Sequence, residues 1–175
     1  MVVNSPLLDK LNRRARATLI AGAVIAAIAV GGWLFERRVP EIVGPVRVID
    51  GDSIVVGGVE IRIYGIDAPE YRQVCMRSGR PWMCGITATQ TMRSLVAGRE
   101  VSCRAREQDR YGRTVAICHA GALDLGAAMV KGGYAVAYGA YEADERDARD
   151  ARRGIWSSSF ERPAAWRAQH RRFRE

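Results

Sequence analysis

Residues 45–70 read PVRVIDGDSIVVGGVEIRIYGIDAPE, and the way this stretch folds decides the architecture. Rich in valine and isoleucine and punctuated by glycine, it predicts three strands. Residues 45–50 and 53–56 are expected to be extended, Gly57-Gly58 to form a tight hairpin turn, and residues 59–66 to return as the third strand. Pairing around that turn brings the neighbourhood of Asp52 back towards residues 62–70.

Downstream, residues 87–96 suit a helix, with Gly98 just past its end. Residues 100–106 and 113–119 read as two strands around Asp109-Arg110-Tyr111-Gly112. Asp124 is a natural N-cap for a helix running to about Lys131, stopped by Gly132-Gly133. Residues 142–153 (EADERDARDARR) predict a charged helix ended by Gly154, with i,i+4 pairs such as Glu142–Arg146 and Glu145–Arg149 and a solvated face. The expected class is therefore mainly β with helices (α+β). Five short strands with a helix after the third suggest a small Greek-key barrel of OB type, although an unrelated α+β sandwich fits the pattern nearly as well.

The four cysteines are Cys75, Cys84, Cys103 and Cys118. None has zinc-ligand spacing, and an even number in a short exported domain favours disulfides over free thiols. In the 100–119 hairpin, facing residues have a constant numerical sum, and 103 and 118 centre on Arg110 and Tyr111, so Cys103 and Cys118 should face each other. Cys75–Cys84 follows by exclusion.

Taken singly, the charged residues are ambiguous. Asp50-Gly51-Asp52 reads as a polar turn and lacks the later ligands of an EF-hand loop. Asp67-Ala68-Pro69-Glu70 is also turn-like, Arg62 in an apolar strand is either an ion pair or a ligand clamp, and Arg113 follows what could be a plain basic hairpin turn. Their combination says more. Asp52, Asp67 and Glu70 converging on one end of a small sheet would repel one another unless a hard divalent cation such as Ca²⁺ joined them. Two guanidinium forks beside such an ion and a free carboxylate are what phosphodiester hydrolysis needs.

The segments VIDGDS (48–53), IRIYGIDAPE (61–70) and DRYGR (109–113) resemble, in order, the signature segments of the staphylococcal nuclease family, and GYAVAY (133–138) and ARRGIW (151–156) extend the similarity over about residues 45–156. The resemblance implies an OB barrel with three helices that hydrolyses DNA and/or RNA with Ca²⁺. Asp52, Asp67 and the backbone carbonyl of Ala68 would ligate the ion, Glu70 would act on the attacking water, and Arg62 and Arg113 would grip the phosphate. Arg110 and Tyr111 would contact a terminal phosphate or the neighbouring nucleotide. Tyr138 aligns with the base-stacking tyrosine, with Tyr141 as a rival. Ala68 stands where the family often has threonine, and residues 71–85, with two cysteines, depart from the lysine-rich loop of the secreted archetype. Relatives of this fold also serve as non-catalytic nucleic-acid or protein-binding modules, but these typically lose the acidic and arginine positions filled here.

The net charge of +8 lies mostly in the flanks: +4 over residues 1–40, +1 over 41–156 and +3 over 157–175. Basicity therefore says little about the domain itself. Residues 19–35 (LIAGAVIAAIAVGGWLF) carry no charge over 17 residues, preceded by a basic segment, 1–18, with Lys10, Arg13, Arg14 and Arg16. Such a helix would span roughly 26 Å, and the basic flank favours N-in, C-out insertion. A transmembrane signal anchor is expected; a signal peptide cleaved near Ala27-Ile28-Ala29 and a buried core helix are the alternatives. The first places the domain on the inner membrane facing the periplasm, the second makes it secreted or periplasmic. A linker at 36–44, a domain at 45–156, a basic tail at 157–175 that is disordered or lies on lipid or nucleic acid, and a monomeric state complete the expectation.

Overall fold

The computed structural model describes residues 41–170 and, within the N-terminal segment, 19–20, 22–28 and 30. Those N-terminal positions are helical and exposed, and among the described residues no helix is long and apolar enough to cross a membrane. The expected basic segment 1–18, much of the apolar segment 19–35 and the start of the linker at 36–40 lie outside the described residues. The chain divides after Pro40 into two units, and the second contains all of the structure that follows.

That unit is a mixed α+β fold with a many-stranded sheet and, among the described residues, four α-helices and one 3₁₀ helix. Strands β1 (Glu41–Val43), β2 (Val46–Val48), β3 (Ser53–Val56) and β4 (Val59–Ile63) come first. Gly57 and Gly58, at φ 57° and 86°, make the β3–β4 turn, a conformation that a two-residue hairpin demands and glycine adopts without strain. The register pairs Ile54 with Ile61 and Ser53 with Arg62, so Ile54, Val56, Ile61 and Ile63 all reach the core. β8 (Val101–Gln108) and β9 (Thr114–Ala120) form the second hairpin, with Cys103 opposite Cys118. Both expected disulfides, Cys103–Cys118 and Cys75–Cys84, are present.

The main sheet runs β1-β8-β9-β4-β3-β2, with β4 and β9 parallel and all other neighbours antiparallel. Its two ends, β1 and β2, are consecutive in the chain and separated only by Gly44 and Pro45. Residues so close in sequence can sit on opposite edges only if the sheet curls until its edges meet. The curled sheet is consistent with an OB-type fold, with β1–β2 as one bent strand. The expected linker therefore ends earlier than residue 44, because residues 41–43 pair with residues 102–104.

Between the two halves lie β5 (Ile66–Asp67), the small hairpin β6 (Cys75–Arg77) and β7 (Arg80–Trp82), and helix α1 (Cys84–Val96), which begins three residues earlier than expected. After β10 (Leu123–Asp124) come α2 (Leu125–Lys131), β11 (Val136–Ala137), α3 (Glu142–Asp150), a 3₁₀ turn at Gly154–Ser157 and α4 (Pro163–Gln169). Asp124 caps α2 as expected, accepting from the Ala127 N–H at 3.0 Å. α3 has the expected solvated face and also a buried one. Ala148 and Glu145 are buried, and the Glu145 carboxylate accepts from the Ala137 N–H at 2.8 Å and pairs with Arg149 and Arg162.

Residues 157–170 are not a free tail, and the last five residues of the expected tail lie outside the described residues. Met76 and Ser159 form a β-bridge, and Gln73, fully buried, donates to the Glu161 carbonyl at 2.6 Å. Pro163 at the first position of α4 needs no hydrogen-bond partner there and starts the helix. The chain thus remains packed on the body as far as His170, because Met76 in the Cys75–Cys84 loop offers it a strand edge and Gln73, just before that loop, a buried amide.

Candidate active site

The loop from β2 to β3 is an Asx turn in which Asp50 Oδ1 accepts from the Asp52 N–H at 3.0 Å. Gly51 lets this loop press against the segment after β5: an added Cβ would stand 2.7 Å from that of Ala68. That approach seats Asp52 beside residues 67–70, and the Ala68 N–H donates to Asp52 Oδ2 at 2.8 Å. Ser53 Oγ donates to Asp52 Oδ1 at 3.1 Å.

Asp52 and Asp67 are almost fully buried, at 4% and 3% exposure. Buried carboxylates require partners, and Arg62 supplies both: Nη1 donates to Asp52 Oδ1 at 2.8 Å and Nη2 to Asp67 Oδ1 at 2.9 Å. The strand register explains this, since Arg62 lies opposite Ser53, next to Asp52, and five residues before Asp67. Of the two readings of Arg62, the ion pair describes it in this state, and the fork retains further donors for a ligand.

A second arginine shares the carboxylates. Arg167 of α4 donates through Nη1 to Asp67 Oδ1 at 2.8 Å and to Glu70 Oε1 at 2.9 Å, and through Nη2 to Asp67 Oδ2 at 3.1 Å. Glu70 is tied into the same corner by its N–H, which donates to Gln73 Oε1 at 3.2 Å.

These groups line a cleft of about 610 Å³ that also receives Arg110, Tyr111 and Arg113 from the β8–β9 turn and Tyr138 after β11. Asp109 organises that turn: its carboxylate accepts from the N–H groups of Tyr111 and Arg113 at 2.8 and 3.0 Å and from Arg113 Nε at 2.8 Å. Slight burial opposes ionisation there, but these hydrogen bonds and the Arg113 charge hold the Asp109 carboxyl below its usual 3.8. The Arg110 guanidinium lies 4.9 Å from the Tyr111 ring centre. Tyr111 and Tyr138 present exposed rings, at 63% and 72% exposure. Tyr141 has a different place: its hydroxyl bonds to the Asp124 carboxylate at 3.0–3.1 Å, and it does not line the cleft.

The cleft thus collects every predicted charged residue, Asp52, Asp67, Glu70, Arg62, Arg110 and Arg113, together with Tyr111 and Tyr138. Ala68 is buried behind it, with its N–H on Asp52 rather than on the cleft wall. Asp50, Gln73 and Arg167 were not anticipated. Gln73 carries no local signal, whereas Pro163 hints at the helix that bears Arg167.

The donor set suits a hard divalent cation. Asp52, Asp67 and Glu70 face the two guanidinium groups of Arg62 and Arg167, and Asp50, when ionised, brings the excess to two negative charges. Burial, followed by the nearby Asp52 and Glu70 charges, pushes the Asp50 carboxyl up to about 7. All of these donors are carboxylate oxygens, as Ca²⁺ prefers. Among the described residues no three acidic, imidazole or thiol groups stand ready as a cage; Arg62 and Arg167 pair with the carboxylate oxygens of Asp52, Asp67 and Glu70.

Comparison with known proteins agrees with this geometry. The family described as "Staphylococcal nuclease homologue" matches residues 60–158, more than half of the chain. A succinoglycan biosynthesis protein, ExoI, of Rhizobium meliloti is 32% identical over 160 residues, covering 86% of this chain and 82% of its own. A protein named micrococcal nuclease from Shigella flexneri is 32% identical over 170 residues, covering 85% and 90%. An uncharacterised endonuclease of Escherichia coli O157:H7 is 36% identical over 138 residues, covering 73% and 84%. With the signature segments in order, their charged residues gathered in one cleft and this matched span, the chain belongs to the staphylococcal nuclease family.

Proposed function

We propose that the protein is a Ca²⁺-dependent phosphodiesterase that hydrolyses DNA and/or RNA. The observation that carries this reading is the single cleft in which Asp52, Asp67 and Glu70 meet Arg62 and Arg113. Relatives named as nucleases support it. Asp52 and Asp67 would hold the ion, which when bound places positive charge against the phosphoryl oxygens. Glu70, at the cleft wall and with a partly exposed side chain, would orient or deprotonate the attacking water. Arg62 and Arg113 carry forked donors that match phosphoryl oxygens, and their carboxylate partners restrict the forks before substrate arrives. Tyr111 and Tyr138, with exposed rings, offer stacking faces for bases on either side of the scissile phosphate.

Two disulfides support work in an oxidising compartment, and the uncharged stretch 19–35 with its basic N-terminal flank supports a membrane anchor facing the periplasm, or an exported form. The deciding experiment incubates the full-length chain, purified under oxidising conditions, with single-stranded DNA and with RNA, in Ca²⁺ and in chelator. Cleavage in Ca²⁺ that chelator abolishes is expected. A folded sample that cleaves neither substrate with any divalent ion would sink the proposal.

A further inference from the structure

Arg167 lies 97 residues from Glu70 and 100 from Asp67, yet its guanidinium spans both. Its seat is built. Gln73 joins the Glu70 backbone to the Glu161 carbonyl just before α4, Arg162 pairs with buried Glu145, and Pro163 is itself buried. The helix is held at its start by three independent contacts, and its last turn delivers a positive group onto the acidic corner. Asp67 then has both oxygens engaged: Oδ1 by Arg62 and Arg167, Oδ2 by Arg167. A carboxylate offers about four lone-pair sites, and an incoming cation would have to share them with a like charge.

We propose that Arg167 is an internal occupant of the cation subsite, holding Asp67 and Glu70 in the ion-free protein, so that docking of α4 and loading of a divalent cation oppose each other. This rests on the reading of Asp67 and Glu70 given under Proposed function. Because the coupling is a free energy shared between two events, it is reciprocal: Arg167 weakens cation binding by the factor by which the cation weakens α4 docking. Arg167 and Glu70 are each 26% exposed at their side chains, so water screens part of the interaction. An effect of about tenfold is expected, within the roughly 5- to 150-fold range of coupled sites.

The test titrates Ca²⁺ calorimetrically, without nucleic acid, into the full-length protein and its Arg167→Gln and Arg167→Lys variants. Hydrogen exchange of residues 163–169 is followed with and without the ion. Arg167→Gln should bind Ca²⁺ about tenfold tighter, with Arg167→Lys between it and the native chain, since lysine keeps the charge but loses the fork. Ca²⁺ should also speed exchange in α4 of the native protein. Unchanged or weaker binding by Arg167→Gln overturns the proposal, as does α4 exchange that Ca²⁺ leaves alone or slows. If Arg167→Gln loses cleavage at unchanged Ca²⁺ affinity, Arg167 grips substrate instead and the competition is refuted, while the nuclease reading stands. If neither protein binds or uses any divalent ion, both readings fall together.

Discussion

Replacing Arg62 with methionine keeps much of the stem and removes the fork that joins two buried aspartates. Two charge-assisted hydrogen bonds, at 2.8 and 2.9 Å, are lost; the 3.4 Å contact to the Ile66 carbonyl adds little. Breaking a buried pair on one side generally costs about 3–5 kcal/mol. Here the remaining carboxylates keep partners: Asp52 retains Ser53 Oγ and the Ala68 N–H, and Asp67 retains Arg167. The expected loss is therefore at the low end, about 3 kcal/mol, or a Tm lower by about 10 °C for a body of this size. A bound divalent ion would supply to Asp52 and Asp67 the charge that the variant lacks, so the gap to the native protein should narrow in saturating Ca²⁺. Thermal unfolding followed by circular dichroism, in chelator and in Ca²⁺, measures both quantities. A loss below about 1 kcal/mol, or a gap that Ca²⁺ leaves unchanged, would show that Arg62 does not neutralise this pair.

Arg113 offers the contrasting case. Its ion pair is with Asp109 at a hairpin turn, so Arg113→Ala should change stability by less than about 1 kcal/mol, yet slow single-turnover cleavage by roughly 10³-fold; a loss under tenfold would remove it from the phosphate. Tyr138→Ala should raise KM with little change in Tm, whereas Tyr141→Phe, which loses the hydroxyl held by Asp124, should lower stability by about 1 kcal/mol and leave KM alone; the reverse pattern would exchange their roles. Asp109, whose folded pKa lies below 3.8, contributes stability that is complete above that value and fades as pH falls through the lower one. The difference in Tm between the native protein and Asp109→Asn should therefore shrink in strong acid, and a difference independent of pH would contradict the assigned hydrogen bonds.

The features legible in advance are those whose cause lies nearby in the chain. The Gly57-Gly58 turn, the facing of Cys103 and Cys118 and the Asp124 cap each depend on residues a few positions apart, so spacing and residue type suffice. Charged positions of the site were legible for a related reason, since the β3–β4 register alone brings Arg62 beside Asp52. What escaped depends on contacts across the chain. Nothing near residues 41–43 announces that they pair with residues 102–104, and nothing near Gln73 or Arg167 reveals that one links Glu70 to Glu161 and the other reaches Asp67. Glu145 escaped through an ambiguity of pattern. A run of alternating charges specifies i,i+4 partners without saying which face turns inward, and the two alanines of α3 do not decide it, since Ala148 is buried and Ala143 exposed.

The bent strand at residues 41–48 also bears on the order in which the molecule assembles. Its second half pairs with residues only a few positions on, whereas its first half must find partners some sixty residues later. Loop-closure entropy makes that search late relative to the local 101–120 hairpin. The hypothesis is that closing the sheet at β1 is a post-transition-state event. Ile42→Ala, at a half-buried position opposite Cys103, should then accelerate unfolding while leaving the folding limb of the chevron where it was. A slowed folding limb would instead place this closure in the nucleus.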